Sequence, residues 1–381
     1  MRIGIEAQRI FRKNKHGMDY VVLEEIKELQ KMDTRNEYFV FVAPGEDHCL
    51  KDSHNVHIME IGNGFYPMWE QIALPRAIKE LNLDMLHCTS NTAPLRCKVP
   101  LILTLHDINF LERKDESSQS PYQNYGWLYR KLVVPRILKK CKRIITVSEF
   151  ELNNIMSKLS IPHERMAMIY NGYNEWFKPS VVEEFTYQKY IDEAGYFFFL
   201  GNTDPKKNTE RTLIAYSKYL EKSDVKRKLL MADLDKQYLN DILMRNGIEK
   251  IRKMIVMPGY IVNSDLPNIY NNAFAFLYTS LRESFGIPLL EAMACGTPVI
   301  TSNTSSMPEI GGPYAILVNP EDPDEIANMM LKLEKDDDFY RQQEKIGIER
   351  AKLFSWKQTT ERLLELYEDV YREMERTKKD R

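Results

Sequence analysis

Apolar positions along this chain follow two rhythms that alternate. Residues 2–7, 38–43, 84–87, 101–105 and 144–147 are short, largely apolar runs, as expected of strands buried on both faces. Between the first two, apolar residues recur at Met18, Val21, Val22, Ile26 and Leu29, which predicts a helix opening at Gly17. Residues 147–155, VSEFELNNI, place Ser148 three positions before Glu151, a capping box at the start of another helix. A second round begins at Tyr196 with YFFFL, a turn at Gly201 and a helix starting near Asn208. It continues through apolar runs at 228–232, 255–257 and 276–280, and through Val299-Ile300. Strand–helix alternation of this kind predicts parallel sheets with helices on their faces. The chain ends in a long amphipathic pattern: Ser355 to Gln358 reads as a capping box, and Leu363, Leu364, Tyr367, Val370, Tyr371 and Met374 form a stripe. The polar end, residues 376–381, is expected to fray.

Length changes the picture only by doubling it. At 381 residues the chain exceeds one ordinary core, so two domains are expected. Residues 174–195, charged and with Pro179, read as a linker. The resulting division is 1–175, 176–354 and a terminal helix at 355–381. The 53 basic and 55 acidic residues leave a net charge of −2, so no global charge argues for nucleic acid. Local basic clusters at Arg9, Arg12, Lys13 and Lys15, and at Lys139, Lys140, Lys142 and Arg143, are ordinarily solvated faces, yet they leave peripheral membrane contact open. Five cysteines without a C-x-x-C pair suit reduced thiols in a cytosol rather than a disulfide framework or zinc site. The start, MRIGIEAQRIF, is not a signal peptide, and the apolar runs are far below the ~20 residues of a membrane span. A cytoplasmic protein, with the inner membrane face as the alternative location, is expected, its oligomeric state unspecified.

Candidate chemistry concentrates in residues 281–301, LRESFGIPLLEAMACGTPVIT. Glu283 and Glu291 stand eight positions apart and bracket a Phe285-Gly286 turn. Pro288 suits a first helical turn, and Gly296 suits the left-handed position that ends the helix. Amides around Gly286 and Ile287 would then lie at the positive end of a helix, a site suited to phosphate or sugar hydroxyls. The same pattern would also serve an ordinary βαβ unit with two solvated glutamates. His106-Asp107 ends the 101–105 run, at the strand edge where open α/β sheets bind ligands, although a lone histidine is more often structural. His87 has a similar strand-end position. Residues 111–127 read as a polar loop and an acceptor-side candidate. Asp233-Leu234-Asp235 spells a D-x-D but is read as a loop. The first βα loop lacks G-x-G-x-x-G, which counts against a dinucleotide enzyme.

The run ESFGIPLLEAMACGTPVI resembles the Glu-x7-Glu donor site of the retaining glycosyltransferases of family 4, which have the GT-B fold: two Rossmann-like, doubly wound parallel-sheet domains facing each other across a cleft. The resemblance implies that Glu283 contacts the donor sugar, that the backbone of Ser284, Phe285, Gly286 and Ile287 touches sugar and diphosphate, and that Glu291 binds the ribose. Ser284 replaces the family's usual glycine. Gly17 matches a glycine near the donor phosphates, His106 a histidine near the reacting sugar, and Lys207 the lysine that binds the diphosphate. Where the family often has an arginine five residues before that lysine, this chain has Asn202, and Lys206 is the candidate to compensate. Gly259, in Pro258-Gly259-Tyr260, occupies the place where related enzymes read the base. Ser148 and Pro308-Glu309 match as structural features, and the last helix is implied to cross back onto the first domain.

The resemblance thus implies an enzyme that moves a sugar, with retention, from a nucleoside-diphosphate sugar to a saccharide or lipid-linked saccharide acceptor in surface polysaccharide or glycolipid assembly. No resident cofactor and no metal are implied, and His106, Glu283 and Lys207 would carry the chemistry. Alternatives are a catalytically silent nucleotide-sugar-binding protein and a same-fold sugar-nucleotide epimerase or phosphorylase.

Overall fold

The computed structural model describes residues 1–13, 15–62, 65–111, 121–180 and 186–379, with backbone alone at 121–124. The chain divides into two compact units, Met1–Gly172 together with Trp356–Arg381, and Tyr173–Ser355.

The first unit is built on seven parallel strands: β1 (Arg2–Glu6), β2 (Glu37–Val42), β3 (Val56–Glu60), β4 (Met85–Cys88), β5 (Leu101–Thr104), β6 (Cys141–Thr146) and β7 (Met166–Met168). Their order is β3-β2-β1-β4-β5-β6-β7. Alternate residues of the strands feed two cores. Phe39, Phe41, Leu86, Leu101, Leu103 and Ile144 pack with Trp69, Val134 and Ile137 on one face. Ile3, Ile5, Tyr38, Val40, Met85, Ile102 and Ile145 pack on the other with the helix Gly17–Met32.

The terminal helix, Trp356–Lys379, joins that second core through Leu363, Tyr367 and Val370. It is helical as far as Lys379, and residues 380–381 lie outside those described. The Tyr367 hydroxyl meets Nδ1 of His87 at 2.7 Å, and His87 Nε2 meets the Thr104 hydroxyl at 2.7 Å. Both ring nitrogens are therefore committed to packing neighbours, and burial pushes the imidazole down to about 3. His87, a functional candidate from its position alone, is a core residue that pins the last helix to β4.

The second unit has six parallel strands: β8 (Tyr196–Leu200), β9 (Leu229–Ala232), β10 (Ile255–Val256), β11 (Ala273–Tyr278), β12 (Val299–Ser302) and β13 (Ile316–Val318). Their order, β10-β9-β8-β11-β12-β13, repeats the sequence-relative order of the first sheet. The unbroken YFFFL of β8 is explained by burial on both faces. Phe197 and Phe199 enter one core, while Phe198 packs on Tyr270 and Phe276 with ring centroids 5.4 Å away.

Three strands escaped the hydrophobic pattern. β3 reads VHIME and is only half-buried, and β7 and β13 are three residues long. Much of the polar loop expected over 111–127 lies outside the described residues, but its last part is helical. The helix Pro121–Leu138 begins there and buries Val133, Val134 and Ile137. Of the expected linker, 181–185 lies outside the described residues.

Candidate active site

Strand order selects where to look. In each sheet the chain winds outward one way from its first strand and then returns to wind the other way from its fourth. In open α/β sheets the carboxyl ends of those two neighbours are where ligands bind. In the second unit the neighbours are β8 and β11.

The loop after β8 carries Lys207 in a short 3-10 turn, Pro205–Lys207, whose cap Asp204 accepts the Lys206 amide at 3.0 Å. Asn208 then takes a left-handed conformation, φ 58°, and starts the helix Thr209–Lys222. The loop after β11 carries Glu283. The two loops are stitched together: the Asn208 side-chain amide donates to the carbonyl of Thr279 at 3.0 Å, and the Leu281 amide donates to the carbonyl of Lys206 at 2.7 Å. Lys207 Nζ thereby reaches Glu283 Oε1 at 2.6 Å, and it lies 5.9 Å from the centre of the Tyr278 ring. Both charged side chains remain partly exposed.

A third segment holds the glutamate loop from behind. Ser305 Oγ accepts the Glu283 amide at 3.2 Å, Ser306 Oγ donates to the carbonyls of Glu283 and Phe285 at 3.0 Å each, and Thr304 Oγ1 donates to that of Leu281 at 3.1 Å. These hydroxyls, and the buried amide of Asn208, were not singled out from sequence. The run of small polar residues right after an apolar strand, NTSS at 303–306, was the available signal.

Ser284 is partly exposed, and Phe285 is buried against Phe354. Gly286 caps the helix Ile287–Ala294 at φ 105°. A Cβ there would stand 2.9 Å from Met307 Cε and 3.3 Å from the Tyr278 ring, so both conformation and space demand glycine. The helix closes as anticipated. Gly296, φ 78°, donates to the carbonyl of Met293, and Thr297 to that of Ala292, the paired bonds of a Schellman turn. Glu291 sits in that helix, and burial pushes its carboxyl up to about 8, opposed by the Tyr270 hydroxyl nearby. That hydroxyl is itself buried and stands beside the carboxyl, so the two make a donor and an acceptor that a ligand hydroxyl could join.

Asn202 has a local task. Its side-chain oxygen accepts the Asp204 amide at 2.8 Å and its carbonyl accepts the Thr209 hydroxyl at 2.7 Å, so it shapes the lysine loop rather than extending from it. Gly259 is exposed with φ 84°, and its carbonyl accepts the Asp233 amide at 3.1 Å. Asp235 caps the helix Lys236–Arg245 by accepting the Tyr238 amide at 2.8 Å, consistent with reading D-x-D as a loop.

In the first unit the corresponding neighbours are β1 and β4. Glu6, at the end of β1, is buried and accepts the amides of Gln8 and Thr89 at 3.1 and 3.3 Å, and burial raises its carboxyl. His106 is buried too. Its amide donates to Asn91 Oδ1 at 2.7 Å, and Nε2 lies 3.0 Å from the Thr89 carbonyl. A carbonyl only accepts, so Nε2 carries the proton and Nδ1 keeps its lone pair. Desolvation lowers the imidazole, which is neutral at pH 7. Gly17 opens its helix after the cap His16, and Asp19 of the first turn is paired with Arg9 at 3.2 Å and with Arg12. Gly17 is exposed, with no atom within 4 Å of where a Cβ would stand, so packing does not require a glycine there.

Family models agree with this division. Residues 16–176 match Glycosyltransferase Family 4 and residues 183–350 match Glycosyl transferases group 1. The chain is a group 1 glycosyltransferase. The enzyme is 28% identical over 270 residues to O-antigen chain mannosyltransferase B of Escherichia coli, a match covering 70% of this chain and 69% of that protein. It is 26% identical over 277 residues to the serotype-specific mannosyltransferase WbdA of the same species, but the match spans only 32% of that longer protein. Anabaena Alr3699/HepE, solved in complex with UDP-glucose, superimposes with a TM-score of 0.72 at 17% identity, covering 97% of this chain and 100% of that one. The fold of the enzyme is GT-B.

Proposed function

We propose that the enzyme transfers a hexosyl group, mannose first among candidates, from a nucleoside-diphosphate sugar to a hydroxyl of a saccharide acceptor, with retention of anomeric configuration. The observation that carries this reading is the pairing of Lys207 with Glu283 in the loops after β8 and β11, with Glu291 in the helix that the second loop enters. Lys207 offers a cation for the diphosphate, a charge-assisted contact worth about 1.5–3 kcal/mol. Glu283 offers a carboxylate for sugar hydroxyls, and Glu291 with Tyr270 a matched acceptor and donor for ribose. The relatives' names favour mannose and a polysaccharide or lipopolysaccharide setting.

In the proposed step the bond from the anomeric carbon to the β-phosphate oxygen breaks as the acceptor oxygen attacks from the same face. The acceptor's proton passes to the departing phosphate oxygen. The protein's part is to stabilise the charge that develops on the diphosphate, and Lys207 and the backbone around Gly286 would supply that stabilisation. Glu283, paired with Lys207, would exchange that partner for the sugar as the diphosphate arrives. Lysine can supply the needed charge without a divalent ion.

The deciding experiment is a thermal-shift panel of UDP, GDP, ADP and CMP with and without magnesium, followed by product NMR with the sugar donor of whichever nucleotide binds. Ligand at 100 times its Kd stabilises by about 2.7 kcal/mol. A magnesium-independent shift with one diphosphate and an anomeric configuration matching the donor's support the proposal, whereas an inverted product overturns it.

A further inference from the structure

Two neighbouring helical segments of the first unit carry apolar side chains on the outside as well as the inside. In the helix Pro121–Leu138, Val133, Val134 and Ile137 are buried, yet Tyr125, Leu128 and Leu132, spaced one turn apart, are 47, 48 and 51% exposed. A helix that is apolar on opposite faces is ordinarily covered on both. Beside it, the helical stretch following Phe65 buries Trp69 and Leu74 but leaves Phe65, Met68 and Ile72 exposed at 48, 57 and 41%, again at helical spacing.

The two stripes form one surface. On the outside the rings of Phe65 and Tyr125 lie 5.5 Å apart. On the inside the Glu70 carboxyl, buried and pushed up to about 7, joins the segments by accepting from Tyr66 at 2.9 Å and from Tyr129. Gln71 donates to the Tyr129 hydroxyl at 2.8 Å. Buried polar ties fix the helices side by side with their apolar residues facing out. Scattered exposed apolar residues need no explanation, whereas a contiguous patch marks an interaction site.

Charge says what covers it. From Pro121 to Ser148 the chain contains Arg130, Lys131, Arg136, Lys139, Lys140, Lys142 and Arg143 and no acidic residue. Lys131, Arg136, Lys139 and Lys140 are exposed, and Lys131 Nζ lies 4.5 Å from the Trp127 ring. An apolar stripe of Leu, Met, Ile and aromatic residues flanked by cations is the composition that lies in the interface of an anionic bilayer. We infer that this face docks the enzyme on an anionic lipid surface, with Phe65, Met68, Ile72, Tyr125, Leu128 and Leu132 entering the headgroup boundary and the lysines and arginines binding lipid phosphate. Among the described residues no helix is long and apolar enough to cross a membrane, so attachment by this face is peripheral.

The test is co-sedimentation of the full chain with vesicles of phosphatidylcholine alone or with about 30% phosphatidylglycerol. Expected is binding to the anionic vesicles at least tenfold tighter than to the neutral ones, weakened at salt of about 1 M, where charges are screened beyond about 3 Å. Lys139→Gln with Lys140→Gln should weaken it about fivefold per cation. Leu128→Gln with Leu132→Gln should weaken it further and leave residual salt-sensitive binding. Both pairs are exposed, and unchanged melting temperatures would show that they fold. No sedimentation of the wild type, or undiminished binding of both double variants, would overturn the inference. So would a wild-type dimer in solution that Leu128→Gln/Leu132→Gln converts to monomer, because the face would then pair with a second copy.

Discussion

The two units place the same topological feature at the service of different chemistry. Each sheet reverses its winding between its first and fourth strands, the place where open α/β sheets bind ligands. At β8/β11 the loops bring a partly exposed lysine and glutamate to 2.6 Å. At β1/β4 the polar groups turn inward: Glu6 is capped by Thr89 and Gln8, and His106 is held by Thr89 and Asn91. The first of these places holds partly exposed charges that a ligand can recruit, while the second buries a carboxyl and an imidazole in a hydrogen-bonded network beside the Arg9–Asp19 pair. Topology supplies a place to bind; the loop side chains decide whether its groups stand partly exposed or are buried and fixed.

Removing the cation should break the contrast most severely. Lys207→Ala is expected to lower kcat about 10²–10³-fold, the usual loss for one transition-state donor. Because Glu283 shares its partner, Lys207→Ala/Glu283→Ala should fall well short of the product of the single losses in steady-state kinetics. Multiplicative losses would show that the two act separately. Tyr367→Phe probes the first unit's inward-turned chemistry instead. It strands His87 Nδ1 in the core and should cost about 1–3 kcal/mol in urea unfolding with donor kinetics unchanged.

Proton linkage sharpens the comparison next. The Glu291 carboxyl is raised to about 8, so below that pH it holds a proton which an accepting carboxylate must release. Nucleotide affinity, measured by calorimetry, should rise by up to about tenfold per pH unit toward pH 8 and then level off, and Glu291→Gln should flatten the profile. The sign for stability is opposite. A carboxyl raised in the folded state stabilises at low pH and loses that contribution as pH climbs from about 4.5 to 8, so the variant should also show a shallower decline. His106 is shifted down, is already neutral at pH 7, and should add no slope above that pH. The smallest effect on stability is expected at Gly17→Ala, within about 0.5 kcal/mol because the Cβ meets nothing. A several-fold rise in donor KM with an unchanged melt would show that the glycine serves a ligand.

Much of this was legible in order along the chain. The strand–helix alternation announced two parallel sheets, and Gly17, Asn208, Gly296 and Ser148 stand at helix ends as their residue types required. Short strands such as β7 and β13 were not legible, because three residues carry too little periodicity and their pairing is supplied by neighbours far along the chain. The role of His87 could not be read from position for a related reason. A strand-end histidine looks the same whether it faces a crevice or, as here, a tyrosine 280 residues away.

What the sequence alone determined is the local grammar: where strands and helices begin and stop, which residues are apolar inward, and which run, residues 283–291, carries carboxylates beside a helix start. Those properties depend on backbone sterics and on spacing within a few turns. Tertiary structure decided everything that depends on distance in space. It brought Lys207 to Glu283 across 76 residues, set Ser305 and Ser306 behind the glutamate loop, and turned Asn202 into a loop brace. It also lifted the Glu291 carboxyl to about 8, because a pKa is set by what surrounds a group and not by what precedes it in the chain.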